Sequence, residues 1–192
     1  MSLAEKYKQE IVPRLRDKFG YPNILAVPKV SKVTINVGVG KLAKEPGLVE
    51  LVEKTLQRIT GQAPVKTKAK RSISSFKIRQ GMVVGLKVTL RRHRMYDFIT
   101  KLINITLPRA RDFRGLSTEA VDEQGNFNIG FSEHIAFPEV QADDVAKIHG
   151  LEVCITTTAK NKTDGLELLR LFGFPFKNKE TKTKEKKTKL MK

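Results

Sequence analysis

Three histidines, one cysteine and a glycine-rich strand end are the residues of this chain that could do chemistry, and their spacing decides each case. Asn36-Val37-Gly38-Val39-Gly40-Lys41-Leu42-Ala43 fits G-x-G-x-x-A behind a strand-like run. A dinucleotide site needs a helix to open there at once and an acid about twenty residues further on. Pro46-Gly47 interrupts the first, and no acid lies between 54 and 96. A phosphate-binding P-loop would need a glycine where Ile35 stands. A nucleotide-binding enzyme at the Gly38/Gly40 turn is therefore the lesser reading. A strand end whose glycines admit another backbone, RNA included, is the better one. His93, His134 and His149 have no metal-ligand spacing. Cys154 reads as a small mid-strand residue. Glu133 beside His134 has no nucleophile or anion hole to serve. The expectation is no catalysis, no metal, no cofactor and no small-molecule substrate.

Charge is the stronger signal. The 192 residues hold 37 Lys and Arg against 20 Asp and Glu, a net charge of +17. Between 54 and 96 stand twelve basic residues with no acid among them, whereas 115–146 carries seven acids and no Lys or Arg. The tail 177–192 holds eight Lys and two Glu, six of the seventeen net charges. A polyanion is the expected partner of the basic side. The acidic stretch points to a second kind of partner, with a plain solvated surface as the alternative. The run Lys66-Thr67-Lys68-Ala69-Lys70-Arg71-Ser72-Ile73-Ser74-Ser75-Phe76-Lys77-Ile78-Arg79-Gln80-Gly81 mixes cations and hydroxyls around Phe76. It reads as a pliable loop suited to phosphate contacts and one stacking contact. A nuclear-type targeting run or a merely solvated loop is its alternative.

These residues need elements to position them. Ser2-Leu3-Ala4-Glu5 is a capping box opening a helix that Gly20 stops, with a kink or break at Pro13. Alternation predicts strands over 30–37, 84–91 and 151–158, and a turn signal at Gly125 predicts a short strand on either side of it, the second being 127–131. Periodic apolar residues predict helices over 48–60, ending at Gly61, over 94–106, ending before Pro108, and through Leu166, Leu169 and Phe172, capped by Thr163 or Asp164. The fold class is α+β: a mainly antiparallel sheet with helices packed on one face, a polar concave face for RNA, and a protruding basic loop. On that polar face the alternation sets Lys32/Thr34/Asn36, Lys87/Thr89/Arg91 and Thr156/Thr158. Residues 1–176 are expected to form one α+β RNA-binding domain with an acidic lobe at about 115–146, and 177–192 a disordered Lys-rich arm. The N-terminus has no signal-peptide core, and no apolar run approaches the ~20 residues of a membrane span. One cysteine fits a reducing compartment. A cytoplasmic protein with no membrane partner is expected.

Seven separated blocks, in order, carry a resemblance. They are Val33-Thr34-Ile35-Asn36-Val37-Gly38-Val39-Gly40; Gly61-Gln62-x-Pro64; Lys68-Ala69-Lys70-Arg71-Ser72 running to Phe76-Lys77-Ile78-Arg79-Gln80-Gly81; Val88-Thr89-Leu90-Arg91; Pro108-Arg109-Ala110-Arg111-Asp112-Phe113-Arg114-Gly115-Leu116-Ser117 with Gly125-Asn126; Phe137-Pro138-Glu139; and Ile155-Thr156-Thr157-Thr158-Ala159 with Phe174-Pro175-Phe176. Over about 3–176 the chain resembles the bacterial type of the fifth large-subunit ribosomal protein family, the family that binds 5S ribosomal RNA. The resemblance implies a structural constituent of the ribosome that anchors 5S rRNA in the central protuberance, beside 23S rRNA and neighbouring protuberance proteins. It implies contact with P-site tRNA through the basic loop, and a bridge to a basic small-subunit head protein, the thirteenth of that subunit.

By matching motif, the resemblance assigns 5S rRNA contacts to Asn36, Gln62 and Thr89, supported by Lys32, Thr34, Arg91, Gly38 and Gly40. It assigns the tRNA-facing loop to Lys70, Arg71, Ser72, Phe76, Lys77 and Arg79, and the intersubunit side to Arg109, Arg111, Asp112, Phe113 and Arg114. After Val88-Thr89-Leu90-Arg91 the family commonly has Gly, where this chain has Arg92-His93-Arg94, which puts the turn there in question. The Lys-rich tail exceeds the usual bacterial ending. A non-specific architectural nucleic-acid binder is the alternative function.

Overall fold

The computed structural model describes residues 2–40, 47–140 and 148–177. Its centre is β1 (Val30–Gly38), whose alternation buries Val33, Ile35 and Val37 completely. On one side β1 pairs with β3 (Val83–Leu90), which pairs in turn with β2 (Val65–Lys68). On the other side it pairs with β5 (Leu151–Thr157), which pairs with β4 (Phe127–Phe131). The order is β2-β3-β1-β5-β4 and every neighbouring pair is antiparallel. The α+β class with one antiparallel sheet is as the sequence predicts. β2 is the addition. The expected basic loop begins as a paired edge strand, with a register shift between Thr67 and Lys68.

The helical layer comprises α1 (Leu3–Lys6), α2 (Val12–Phe19), α3 (Leu48–Thr60), α4 (Arg92–Lys101), α5 (Leu107–Arg109) and α6 (Lys162–Phe172). The capping box forms as read: Glu5 N donates to Ser2 Oγ and Ser2 N to Glu5 Oε2. Those bonds hold the Glu5 carboxyl below its ordinary range. Ile11, Leu15, Val52, Leu56, Ile59, Phe98, Ile99, Leu102, Leu168 and Phe172 pack with the apolar sheet face in one core. Tyr7 stacks on Phe172 with ring centroids 5.8 Å apart and donates its hydroxyl to Pro28 O. Burial pushes its phenol up to about 12.

Two prolines are accommodated alike. A proline inside a helix removes an N–H and presses its ring on the carbonyl four residues back. Ahead of Pro13 the chain widens into a π-helical turn, Tyr7–Ile11, where Val12 N donates to Tyr7 O. Ahead of Pro108 it does so again at Leu102–Thr106, where Leu107 N donates to Leu102 O. Pro13 therefore distorts its helix as predicted. Pro108 does not end the second helix, which continues through α5 to Arg109. The wider turn frees the carbonyl that the ring would strike.

The cap expected at Thr163 or Asp164 is also corrected, since the residue preceding α6 is Asn161. Asp164 lies inside the first turn, buried, and accepts a 2.7 Å hydrogen bond from Tyr21 Oη. Lys177, the first residue of the expected arm, donates from N to Leu116 O. Residues 178–192, including the rest of that arm, and the acids Asp143 and Asp144 lie outside the described residues, as does the 41–46 half of the glycine turn. α3 opens at Leu48, eight positions past Gly40.

Two backbone positions generate opposite predictions. Gly165 in α6 rests against the turn at Gly125. A Cβ there would stand 2.4 Å from Gly125 Cα, and one on Gly125, at φ +78, would stand 2.7 Å from Ala159 Cβ. Alanine in a helix ordinarily stabilises by about 1 kcal/mol over glycine. Here Gly165→Ala should destabilise by about 2–3 kcal/mol in urea denaturation, because neither backbone can yield. Arg92, the turn from β3 into α4, has φ +53. A side chain there is strained, so Arg92→Gly should raise stability by about 0.5–1 kcal/mol. Arg92→Ala, which keeps a Cβ, should raise nothing.

Candidate nucleic-acid interface

The registers assemble the polar face. Thr34 stands opposite Thr89 and Asn36 opposite Lys87 across β1–β3, while Lys32 faces Thr156 and Thr34 faces Cys154 across β1–β5. Because the alternate residues Val33, Ile35 and Val37 are in the core, Lys32, Thr34 and Asn36 must point away from it. Asn36 is exposed, and Thr34 and Thr89 are half-buried. Gln62, just beyond α3, donates from Nε2 to Thr89 O at 3.3 Å, which ties it to the β3 rim. Arg91 follows β3 in extended conformation, exposed. Gly38 pairs with Gly85, and a Cβ on Gly38 would meet nothing within 4 Å, so an open notch breaks the face there. Gly85 itself has no such room: a Cβ would lie 2.7 Å from Thr67 Oγ1. Gly40 lies at the same strand end, beside Val84 O.

Sequence reading of the site residues omitted several members of this face. Lys87 was visible in the β3 alternation. Thr67 was hidden by the unforeseen strand β2, and Asn128 and Glu152 follow once β4 and β5 are in register. Cys154 lies among them, half-buried; burial, then the neighbouring Glu152, pushes its thiol up. That keeps it a poor nucleophile. Among the described residues no group of three or more His, Cys, Asp or Glu is placed to hold a metal ion.

From one end of this face the basic segment rises as a hairpin of its own. Ile73 and Ile78 exchange two backbone hydrogen bonds, closing the turn 74–77, and Gln80 N donates to Ser72 Oγ. Lys77 turns the tip at φ +55. Phe76 is 70% exposed at that tip, and Lys70, Arg71, Ser72, Lys77 and Arg79 are exposed along its flanks. A phenyl ring so exposed gains nothing from the core. The segment is thus a hydrogen-bonded hairpin and not an open loop. Lys66 is diverted from it, pairing with Glu53 at 2.8 Å.

A third group surrounds a groove of about 900 Å³ between the 109–117 segment and the edge strand β4. Arg109, Arg111, Asp112 and Arg114 are exposed around it, with Asp112 at φ +54, while Phe113 packs on the core. The acidic run opposite is partly committed to structure. Asp122 accepts from Asn126 N and Nδ2, and Glu139 accepts from Lys101 Nζ. Buried beside the groove, the rings of His134 and His149 stack 4.0 Å apart, and His149 N donates to His134 Nδ1. Among the described residues no helix is long and apolar enough to cross a membrane.

Comparison with known proteins matches both halves of the chain to one family. Residues 23–79 match the family model described as ribosomal protein L5, and residues 83–176 match the model of the same ribosomal family's C-terminus. A large ribosomal subunit protein uL5 from Halothermothrix orenii is 55% identical over 174 residues, 91% of this chain and 97% of its own length. One from Desulforapulum autotrophicum is 52% identical over 92% of this chain and 99% of its own, and one from Clostridium kluyveri 48% over 93% and 99%. None of these descriptions is enzymatic. A polar, cation-bearing sheet face is what a structural component of a ribonucleoprotein requires, and the chain belongs to the uL5 family of large-subunit ribosomal proteins.

Proposed function

We propose that the polar sheet face seats 5S rRNA and anchors it in the central protuberance, with 23S rRNA and neighbouring proteins around it. The observation that carries this is the register setting Thr34 against Thr89 and Asn36 against Lys87, with Gln62 hung from Thr89 O. Hydroxyl, amide and ammonium groups then stand a few ångströms apart on a rigid surface. Such a surface matches ribose 2′-hydroxyls, base edges and phosphates together. Lys32, Lys87 and Arg91 supply phosphate neutralisation, and Thr34, Asn36, Gln62 and Thr89 supply fit. The open space at Gly38 lets an RNA backbone approach the strands closely.

The hairpin bearing Lys70, Arg71, Ser72, Phe76, Lys77 and Arg79 is the arm toward P-site tRNA. Its ring and cations suit a nucleic acid whose sequence varies, because stacking and charge tolerate any base. Arg109, Arg111, Asp112, Phe113 and Arg114, with the acidic residues beyond them, form the side toward a basic protein of the small-subunit head. In this reading residues up to 176 act as one RNA-binding unit, the Lys-rich end adds charge, and the protein works on the ribosome in the cytoplasm.

Affinity for 5S rRNA against an unrelated structured RNA of equal length, measured across a salt series, tests the platform. If about six phosphates are neutralised, both log–log slopes should lie near −4 to −5. The cognate RNA should bind at least about a hundredfold tighter, an offset of about 2.7 kcal/mol that persists at high salt. Asn36→Ala and Thr89→Ala should each cost about 1–3 kcal/mol on the cognate RNA alone. Parallel lines with no offset would establish the non-specific binder instead. For the small-subunit side, Glu123→Lys with Glu133→Lys should weaken subunit joining and flatten its salt dependence. Asp122 is left intact because it holds the turn. Unchanged joining would remove that assignment.

A further inference from the structure

A second basic feature lies where the platform ends. α3 finishes at Thr60 and α4 opens at Arg92, and a cleft of about 290 Å³ separates them, lined by Arg58, Thr60, Gly61, Arg94, Asp97 and Lys101 among others. Lys101 is its structural member: Nζ donates to Ile59 O and to Glu139 Oε1, and lies 5.6 Å from the centre of the Phe98 ring. It fastens α4 to the last turn of α3 and is half-buried. Arg58, in the last turn of α3, and Arg94, in the first turn of α4, are exposed at the cleft. A space of this size takes a phosphate with part of its sugar. Planar guanidinium groups suit such an occupant, because their N–H forks match pairs of phosphate oxygens.

Its position decides the partner. One wall runs back through Gly61 to Gln62, which is bonded to Thr89 O. The other runs back from Arg94 to Arg91 at the end of β3. Both walls therefore lead into the same corner of the platform. An RNA strand leaving the sheet face at that corner meets the cleft next, whereas none of the described residues around it offers the free strand edge or apolar groove that a peptide would use.

We infer that the α3–α4 cleft is a phosphate-holding notch, in which Arg58 and Arg94 grip the backbone of the RNA on the sheet face as it continues over the end of β3 onto the helical layer. Lys101, held by its bonds to Ile59 O and Glu139, is the fixed member of its lining. This rests on the sheet face being an RNA platform, and it adds a site on the opposite layer of the fold.

The test uses the full chain with Arg58→Gln and Arg94→Gln together, against a charge-matched control, Arg14→Gln with Arg16→Gln, on the exposed side of α2. Lys101 is left intact because it caps α3. The readouts are the salt dependence of 5S rRNA binding and hydroxyl-radical protection of the RNA. The notch pair should flatten the log–log slope by about two, one per lost phosphate. It should also expose one protected stretch of backbone and leave the platform's protection in place, while the control changes neither. Arg94→Lys, which keeps the charge and loses the fork, should retain the slope and weaken the protection, and it tests the same contact should the double variant melt early. Equal effects of notch and control pairs, or protection that survives both substitutions, would overturn the inference. So would displacement by polyglutamate of a probe at Arg94 with no RNA protection there, which would assign the cleft to an acidic protein segment. Asn36→Ala in parallel separates the two readings. Cognate preference intact in Asn36→Ala with notch protection lost in the arginine pair leaves a phosphate contact at the cleft but sinks the platform, and with it the continuation from the sheet face; the converse sinks the notch alone.

Discussion

The period-two register of β1 is the constraint on which the rest of this structure depends. β1 is hydrogen-bonded on both sides, to β3 and to β5, so its alternation is imposed on two neighbours at once. Val33, Ile35 and Val37 can enter the core only if Lys32, Thr34 and Asn36 leave it. A slip of one residue against either neighbour would bury a lysine and an asparagine without partners and expose three β-branched side chains. Each buried polar group would cost on the order of 1–3 kcal/mol, and each aliphatic side chain would forfeit about 1.5–3 kcal/mol of transfer free energy. The hydrophobic effect thus sets the position of the polar face. No residue of the polar face has to hold itself in place, because the residue before it and the residue after it do so from the other side of the sheet.

The helical layer is fitted to that sheet by backbone exceptions. The π turns before Pro13 and Pro108 let two long helical segments carry a proline and still present Ile11, Leu15, Phe98 and Leu102 to the core. Gly125 and Gly165 bring a turn and a helix within a distance that no other residue pair would allow. Lys101 joins α4, the end of α3 and Glu139 through one ammonium group. These devices are stabilising only in combination. A π turn is worse than an α turn unless a proline must follow it, and a glycine in a helix is worse than alanine unless another backbone occupies its Cβ space. The left-handed Arg92 is the exception without such a compensation among the described residues.

What the sequence made legible follows from the range of the interactions involved. Alternation in β1, β3 and β5 and the apolar stripe of α3 are local patterns with large energies behind them, and they could be read directly. The polar face followed, because it is the complement of the buried one. β2 could not be read: Val65-Lys66-Thr67-Lys68 is short, its residues lie mostly exposed, and only pairing with β3 makes it a strand. Pro108 misled because the rule that prolines end helices assumes α geometry on the preceding turn. Asp164 looked like a cap, and its use by Tyr21, from 143 residues earlier in the chain, is a tertiary fact. The same holds for Lys101, which no local signal links to Ile59 and Glu139. The hairpin of 69–82 was visible as charge and an unclaimed Phe76, but its rigidity depends on the Ile73–Ile78 pairing.

Charge and shape divide the work of this protein differently. Most of its cations stand on surfaces where each is solvated, and a solvated lysine contributes to attraction at a distance and little to discrimination. Discrimination needs groups that lose water on binding and are left unsatisfied by the wrong partner, which is the part proposed above for Thr34, Asn36, Gln62 and Thr89. The two kinds of group also differ in what holds them. The cations extend from rims and a hairpin whose own packing is light, whereas the amide and hydroxyl groups sit on the three inner strands of the sheet, β3, β1 and β5, or are bonded to their rim. A preformed surface loses little conformational entropy on binding. The affinity of the rims can therefore vary with salt and sequence while the fit of the face stays set by the core behind it.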